Sequence, residues 1–225
     1  TFYRADEGIY STGSQLDMCY PMLVGVVPDS LYNKVKENVV TMTEEKHKGH
    51  IAVGLVGVPI LTEWAVRNKQ VDFFYQMMKK RDYPGYLYMI DHGATATWEY
   101  WSGERSRVHN CYNGIGTWFY QAVGGIRLDE ANSGYRHFYV DPQTPNGVTW
   151  AKVTKESPYG TIAVNWKLKD DNQLNLQLTV PAGTTATVCI PNNAVSCKKN
   201  KKKVSVKEQT VDVKAGHYDF LFNLK

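Results

Sequence analysis

The sequence predicts two modules in series, a set of helices followed by an antiparallel β-sandwich. Two observations carry that prediction. Apolar residues recur at three- and four-residue steps through roughly the first half of the chain, and after residue 134 they alternate with polar neighbours. A length of 225 residues is enough for one large domain or two small ones. Hydrophobic residues at 43% and charged residues at 21% are ordinary globular usage, which excludes a disordered or collagen-like chain.

The helical elements follow in order. Leu31, Val35, Val39 and Met42 share one face behind Pro28-Asp29-Ser30, a helix start signal. Pro59 suits the first turn of a helix that carries Ile60, Leu61, Trp64 and Ala65 on one side. Phe73, Phe74, Met77 and Met78 continue the habit until Tyr83-Pro84-Gly85 ends it. A further helix is expected over about 112–123, with Ile115, Trp118, Phe119 and Ala122 as its stripe and Gly124-Gly125 closing it. Trp64 and Trp118 fall on these stripes and are expected in the core. The opening Thr1-Phe2-Tyr3-Arg4 carries no start signal, so the helices are expected to be the tail of a larger array.

Past a boundary at 126–135 the period becomes two. Val164, Trp166 and Leu168 alternate with polar residues, as do Leu174, Leu176, Leu178 and Val180. Ala186, Val188 and Ile190 follow, then Tyr218, Phe220 and Phe222. Turn signals at Ser157-Pro158-Tyr159-Gly160, Asp170-Asp171-Asn172, Pro181-Ala182-Gly183 and Ala215-Gly216 divide them into strands. One wet and one dry face is the mark of a sandwich, whose core is expected to include Trp150 and Trp166.

Charge and cysteines narrow the function classes. The net charge is +4, but Lys198, Lys199, Lys201, Lys202 and Lys203 are five of the 26 basic residues; without them the balance is 21 against 22 acidic. A nucleic-acid binder spreads positive charge along a face, so this cluster reads as a solvated hairpin loop. Cys19, Cys111, Cys189 and Cys197 lack the spacing of a zinc site, and no cluster of metal ligands is expected. Cys189 and Cys197 either cross-link over a hairpin or remain buried thiols, the second being favoured. The longest uncharged apolar run, 51–61, contains Gly54, Gly57 and Pro59 and is shorter than the about 20 residues needed to cross a bilayer.

The densest functional stretch is Asp91-His92-Gly93-Ala94-Thr95-Ala96-Thr97-Trp98-Glu99-Tyr100-Trp101-Ser102-Gly103. Tryptophan faces stack on the apolar side of sugar rings, and a carboxylate among aromatics is desolvated, which favours proton transfer. Trp98-Glu99-x-Trp101 therefore reads either as a carbohydrate site with a proton-handling glutamate or as a helix start with core aromatics and a wet Glu99. His92 reads as a helix-end hydrogen bonder. His50 reads equally as a turn histidine or a site residue.

The stretch 93–101 resembles the G-A-T-T-x-W-E-x-W segment of bacterial α-L-rhamnosidases (glycoside hydrolase family 78). Gly49-His50-Ile51 and Gly54-Leu55-Val56-Gly57-Val58-Pro59 are similar to that family's G-H-L and G-F-L-G-T-P segments. Tyr83-Pro84 with Tyr88-Met89, Gly13-Ser14-Gln15 at a helix entrance, and His109 with Gly116, Trp118 and Tyr120 continue the likeness in order. The resemblance implies part of an (α/α)6 barrel over 1–128 and a C-terminal β-sandwich over 135–225.

It also implies hydrolysis of terminal α-L-rhamnose from a glycoside or polysaccharide with inversion, which needs two carboxyl groups roughly 6.5–9.5 Å apart. Glu99 takes the place of the general base that activates water, and His109 that of a sugar-contacting histidine. Trp98 and Trp101 would line the pocket, with His50 and Tyr88 as wall residues. No cofactor, nucleic acid or membrane span is implied, and the address is periplasmic or secreted. Two departures stand out: no acidic motif precedes Glu99 to supply the general acid, and Asn110 stands where tyrosine is common. The acid and the rest of the barrel are expected upstream, leaving this chain alone inactive. A non-catalytic carbohydrate-binding protein and a related barrel glycosidase acting on another sugar are the alternatives.

Overall fold

The computed structural model of the chain describes residues 2–169 and 172–225, apart from the side chain of Cys111. Asp170 and Asp171 of the turn expected there lie outside the described residues. The chain divides into two compact units, one ending at Trp118 and one beginning at Phe119.

The first unit opens on a two-stranded hairpin, β1 (Tyr3–Arg4) and β2 (Ile9–Tyr10), which the sequence reading did not anticipate. Helix α1 (Gln15–Leu23) starts at Ser14, whose side-chain oxygen accepts the Asp17 N–H. Asp17 in turn accepts the Thr12 N–H at 3.1 Å and its hydroxyl at 2.5 Å. Burial pushes the Asp17 carboxyl up, but these hydrogen bonds outweigh it and hold the group below the usual carboxylate range. Helix α2 (Asp29–His47) begins behind Pro28 and buries Val35 and Val39, as the apolar spacing predicts. Helix α3 (Gly57–Arg67) holds Pro59 in its first turn, where a missing N–H costs nothing, and buries Leu61, Trp64 and Ala65. Helix α4 (Val71–Met78) buries Phe74, Met77 and Met78. A short α5 (Tyr86–Asp91) follows, outside the sequence expectation.

Helix α1 packs on α2 and α3, and α3 also packs on α4. One buried amide ties this arrangement together. Gln15 Nε2 donates to Thr43 Oγ1 at 2.9 Å and to the His50 carbonyl at 3.0 Å, while its Oε1 accepts the Ala52 N–H at 2.8 Å. A buried side-chain amide with its donors and acceptor satisfied fixes which elements meet, because any other packing would strand them without partners.

The single helix expected over 112–123 is instead a 3-10 stretch (Asn110–Ile115) and a π-helical run (Trp118–Val123). Glycines at 114 and 116 interrupt the α-helical ladder; at Gly114 a Cβ would sit 3.0 Å from the Pro59 Cα, so the chain approaches α3 too closely for a larger residue. Trp118 is nevertheless core, 1% exposed and stacked on Tyr75.

Among the described residues the second unit is a sandwich of eight strands: β3 (Ile126–Leu128), β4 (His137–Val140), β5 (Trp150–Ser157), β6 (Gly160–Lys169), β7 (Gln173–Cys189), β8 (Ala194–Lys199), β9 (Lys202–Val204) and β10 (Thr210–Leu224). The long strands β7 and β10 pair with each other on both sides of a register slip, at which Lys214 faces Thr185 but Gly216 faces Val180. Residues 173–179 pair with β6, whereas 185–188 pair with β4. The ribbon thus belongs to both layers. Leu174, Leu176, Leu178, Phe220 and Phe222 are buried from one layer, and Phe138, Val140, Ala186 and Val188 from the other.

Several expectations change here. Pro181-Ala182-Gly183 and Ala215-Gly216 bend strands rather than end them, because the ladder resumes beyond the slip. The β4–β7 pairing is parallel, whereas the other pairings among the described residues are antiparallel. Trp166 is core, its Nε1 donating to the Val123 carbonyl at 2.7 Å, but Trp150 is 63% exposed. It stands in register with the outward-facing Lys167, and the neighbour Ala151 takes the inward position. Cys189 faces Thr210 and Cys197 faces Phe222, at opposite ends of β10, so no hairpin bridge joins them. The lysine cluster is a hairpin as expected: β8 and β9 turn at Asn200-Lys201, both with positive φ.

Gly125 (φ +70°) shows the tightest backbone approach: a Cβ there would lie 2.2 Å from the Pro142 nitrogen. Gly25 has nearly the same φ of +71° but open space around it. Gly25→Ala is therefore expected to cost only the about 1–2 kcal/mol of a left-handed alanine. Gly125→Ala adds a clash with fixed backbone, and urea unfolding followed by tryptophan fluorescence should show a clearly larger loss. Equal losses would contradict the packing at 141–142.

Candidate active site

The segment after α5 makes a hairpin-like excursion at 97–109. Its two arms are clamped by backbone: Glu99 N–H donates to the Ser106 carbonyl at 2.8 Å, and His109 N–H donates to the Thr97 carbonyl at 2.8 Å. The Thr97 hydroxyl reinforces the clamp by donating to the His109 carbonyl at 2.5 Å. At the tip, Gly103 (φ +79°) packs so closely on Trp98 that a Cβ would fall 2.7 Å from its ring. Arg105 holds a left-handed φ of +57°, uncommon for a residue with a side chain and a frequent companion of functional loops.

Beneath this loop lies an aromatic floor. Trp101 is 8% exposed, stacks on Tyr112 with ring centres 4.0 Å apart, meets Tyr86 edge-on, and donates its Nε1–H to the Val53 carbonyl at 3.0 Å. Trp98 is 2% exposed and carries the Arg107 guanidinium over its ring at 5.2 Å. Neither indole is spread open to solvent; their faces are occupied by Tyr112 and Arg107. Core aromatics lie beneath a polar loop, as the second of the two sequence readings expects, but no helix starts there, and the buried indoles do not line an open pocket.

Glu99 stands on that floor with a side chain 23% exposed. Its Oε2 accepts the Ser106 N–H at 3.3 Å and lies 4.0 Å from His109 Nδ1, and its Oε1 lies 3.7 Å from an Arg105 guanidinium nitrogen. The carboxylate is thereby fixed by one backbone donor and flanked by two nitrogen groups, while part of it remains reachable by water. Such a group can accept a proton from a water molecule and pass it on, which is what a general base requires.

Of the residues the sequence singled out, the structure brings Glu99 and His109 together over Trp98 and Trp101. His50 is placed differently. It is 5% exposed, with Nδ1 donating to the Pro84 carbonyl at 2.8 Å and Nε2 3.1 Å from Asp82 Oδ2. Both ring nitrogens are committed to the turn before α5, the turn-histidine reading. The Asp82 carboxyl is held below its ordinary range by its own backbone amide and by His50. Tyr88 packs its ring on His92 at 4.0 Å and on Tyr83 at 5.5 Å. His92 caps α5, its Nδ1 donating to the Tyr88 carbonyl. Sequence reasoning missed Arg105 and Arg107; two arginines at alternate positions just past Gly103 were the available signal. Among the described residues no group of three or more His, Cys, Asp or Glu could hold a metal ion, and no helix is long and apolar enough to cross a membrane.

Comparison with known proteins identifies the family. Residues 1–123 match the family model of the bacterial alpha-L-rhamnosidase six-hairpin glycosidase domain. The chain belongs to the bacterial α-L-rhamnosidase family. Residues 125–205 match the model of the C-terminal domain of the same family. An alpha-L-rhamnosidase of Formosa agariphila is 30% identical over 88% of this chain, and one of Streptomyces avermitilis is 29% identical over 85%. The chain spans only 24% and 19% of those relatives. Among solved structures, the Streptomyces avermitilis alpha-L-rhamnosidase complexed with L-rhamnose superimposes with a TM-score of 0.86 at 26% identity, covering 97% of this chain and 22% of that one. The Dictyoglumus thermophilum enzyme shares the fold at a TM-score of 0.84 and 21% identity, covering 93% and 25%. The helical unit and its sandwich are therefore those of rhamnosidases.

The aromatic floor can be tested directly. Trp101→Phe keeps a ring on Tyr112 but leaves the buried Val53 carbonyl without its donor, an expected loss of about 1–3 kcal/mol. Trp101→Ala also opens a cavity and should lose about 3–5 kcal/mol. Denaturant midpoints that leave the phenylalanine variant unchanged would contradict the Trp101–Val53 hydrogen bond.

Proposed function

We propose that this chain is the C-terminal part of an inverting glycoside hydrolase that removes terminal α-L-rhamnose, with Glu99 as its general base. The observation that carries the reading is the fixed, partly accessible Glu99 carboxylate beside His109 and Arg105, in a chain whose residues 1–123 fit the rhamnosidase catalytic-domain model. In the reaction, Glu99 takes a proton from water as the water oxygen bonds to the anomeric carbon from the face opposite the aglycone. The carbon–aglycone bond breaks, and the departing oxygen takes a proton from a carboxylic acid on another part of the barrel. His109 donates to a sugar hydroxyl, and Arg105 holds the carboxylate in line.

Inversion demands that the two carboxyl groups face each other across the sugar with room for a water, roughly 6.5–9.5 Å apart. The present chain supplies one of them, so it is expected to be inactive by itself. In the full-length protein, Glu99→Gln keeps the shape but cannot accept the proton, and kcat on an aryl α-L-rhamnoside should fall on the order of 10²–10⁴-fold. KM should change little, and the thermal midpoint should stay put. Near-wild-type kcat in that variant removes Glu99 from the mechanism. A first-formed product of retained configuration, seen by proton magnetic resonance, would overturn inversion.

A further inference from the structure

The outer face of the sandwich carries a built row of polar side chains unrelated to Glu99. In-register partners place Lys152, Asn165, Gln177 and Asp219 side by side across β5, β6, β7 and β10. The row is prearranged: Asn165 Nδ2 donates to Gln177 Oε1 at 3.1 Å, and Gln177 Nε2 donates to Asp219 Oδ1 at 3.3 Å. The next row on the same face runs Trp150, Lys167, Asn175, Leu221 and Lys198. Between the rows lies an open hollow of about 550 Å³, walled at one end by Lys198 and Lys201. The Asn200 side chain fixes that wall, its Oδ1 accepting the Asp219 N–H at 2.8 Å.

We propose that this face binds a carboxylated polysaccharide, a chain of uronic acid units. Four features carry the assignment. Lys167, Lys198 and Lys201 line the hollow and Lys152 the adjoining depression, against a single acid, Asp219, and among the described residues none of the four is paired with a carboxylate. Amides stand between the cations, and planar amides donate to and accept from sugar hydroxyls. The exposed indole of Trp150 offers a stacking surface at the β5 end of the row. The span from β5 to β8 crosses four strand spacings of about 4.8 Å, room for several sugar units.

The spacing favours one charge per sugar over a denser polyanion. No arginine lines the hollow, whereas a site for phosphate or closely set sulfates gains most from the bidentate guanidinium fork. Side chains already held across three strands lose little freedom on binding, which strengthens association without new contacts. The proposal does not rest on the hydrolytic reading, since the face shares no residue with the Glu99 loop.

The test is affinity electrophoresis of the full-length protein in native gels containing polygalacturonate, its fully methyl-esterified form, or dextran. Retardation by polygalacturonate alone is expected, and Lys167→Gln with Lys198→Gln should weaken it at least tenfold. Trp150→Ala should weaken it as well, with circular dichroism unchanged in both variants. Retardation that survives the double substitution overturns the proposal, as does equal retardation by the esterified polymer. Equal competition by duplex DNA would make the face a non-selective cationic surface and would also overturn it.

Discussion

The position of Glu99 depends on two backbone hydrogen bonds, Glu99 to Ser106 and His109 to Thr97. They convert a loop without regular structure into a short clamp, so that one carboxylate, one imidazole and one guanidinium meet within about ion-pair distance. The clamp can form only because Trp98 and Trp101 are driven inward. Their burial anchors alternate sides of Glu99 and leaves its side chain the outward direction. Indoles here serve less as open sugar platforms than as ballast, and the polar loop above them faces the solvent. Arg107 over Trp98 and Tyr112 on Trp101 complete that division by occupying the ring faces.

A second constraint lies farther upstream. Gln15 joins α1 to α2 and to the 50–52 segment, and the ring of His50 carries the connection onward to Pro84. The chain enters α5 directly after that turn, and the Glu99 loop begins where α5 is capped by His92. The residues that resemble family motifs outside the Glu99 stretch thus have a structural use that composition could not disclose. Ser14 is a helix cap, Gln15 a buried cross-link, and His50 a turn anchor. None of these needs to touch a substrate for its identity to matter to where Glu99 sits.

Much of this was legible in the sequence because burial writes itself as periodicity. Val35 and Val39 on α2, Leu61 and Trp64 on α3, and Leu174 to Val180 on β7 all fall where their spacing puts them. What escaped detection has a common cause: local signals do not say whether pairing resumes beyond them. Pro181-Ala182-Gly183 and Ala215-Gly216 have the chemistry of turns, yet they lie near one another across β7 and β10 and let both strands bend into a second layer. Trp150 begins a strand, and its side depends on register with Lys167, which is non-local. The 110–123 segment has a helical stripe, but close approach of Gly114 to Pro59 selects a different winding. In the candidate site, the motif marked Glu99 and His109, which the structure brings together, whereas the left-handed backbone that carries the Arg105 guanidinium to Glu99 cannot be read from the two arginines past Gly103 alone.

The geometry of the clamp bears on how the reaction is shared within a complete barrel. An inverting site must place the sugar between a base and an acid that approach opposite faces of the anomeric carbon. The 97–109 loop presents Glu99 with Arg105 and His109 gathered on the same carboxylate, so on the proposed mechanism Arg105 aligns the base and His109 reaches the sugar, and neither serves the departing oxygen. Glu104, the other acid on this loop, follows the tip at Gly103 and is exposed to solvent. On the proposed mechanism the acid therefore has to project from a different hairpin of the barrel. Base and acid are then positioned independently, each by its own loop, and their separation is set by the packing of helices rather than by the sequence of either loop.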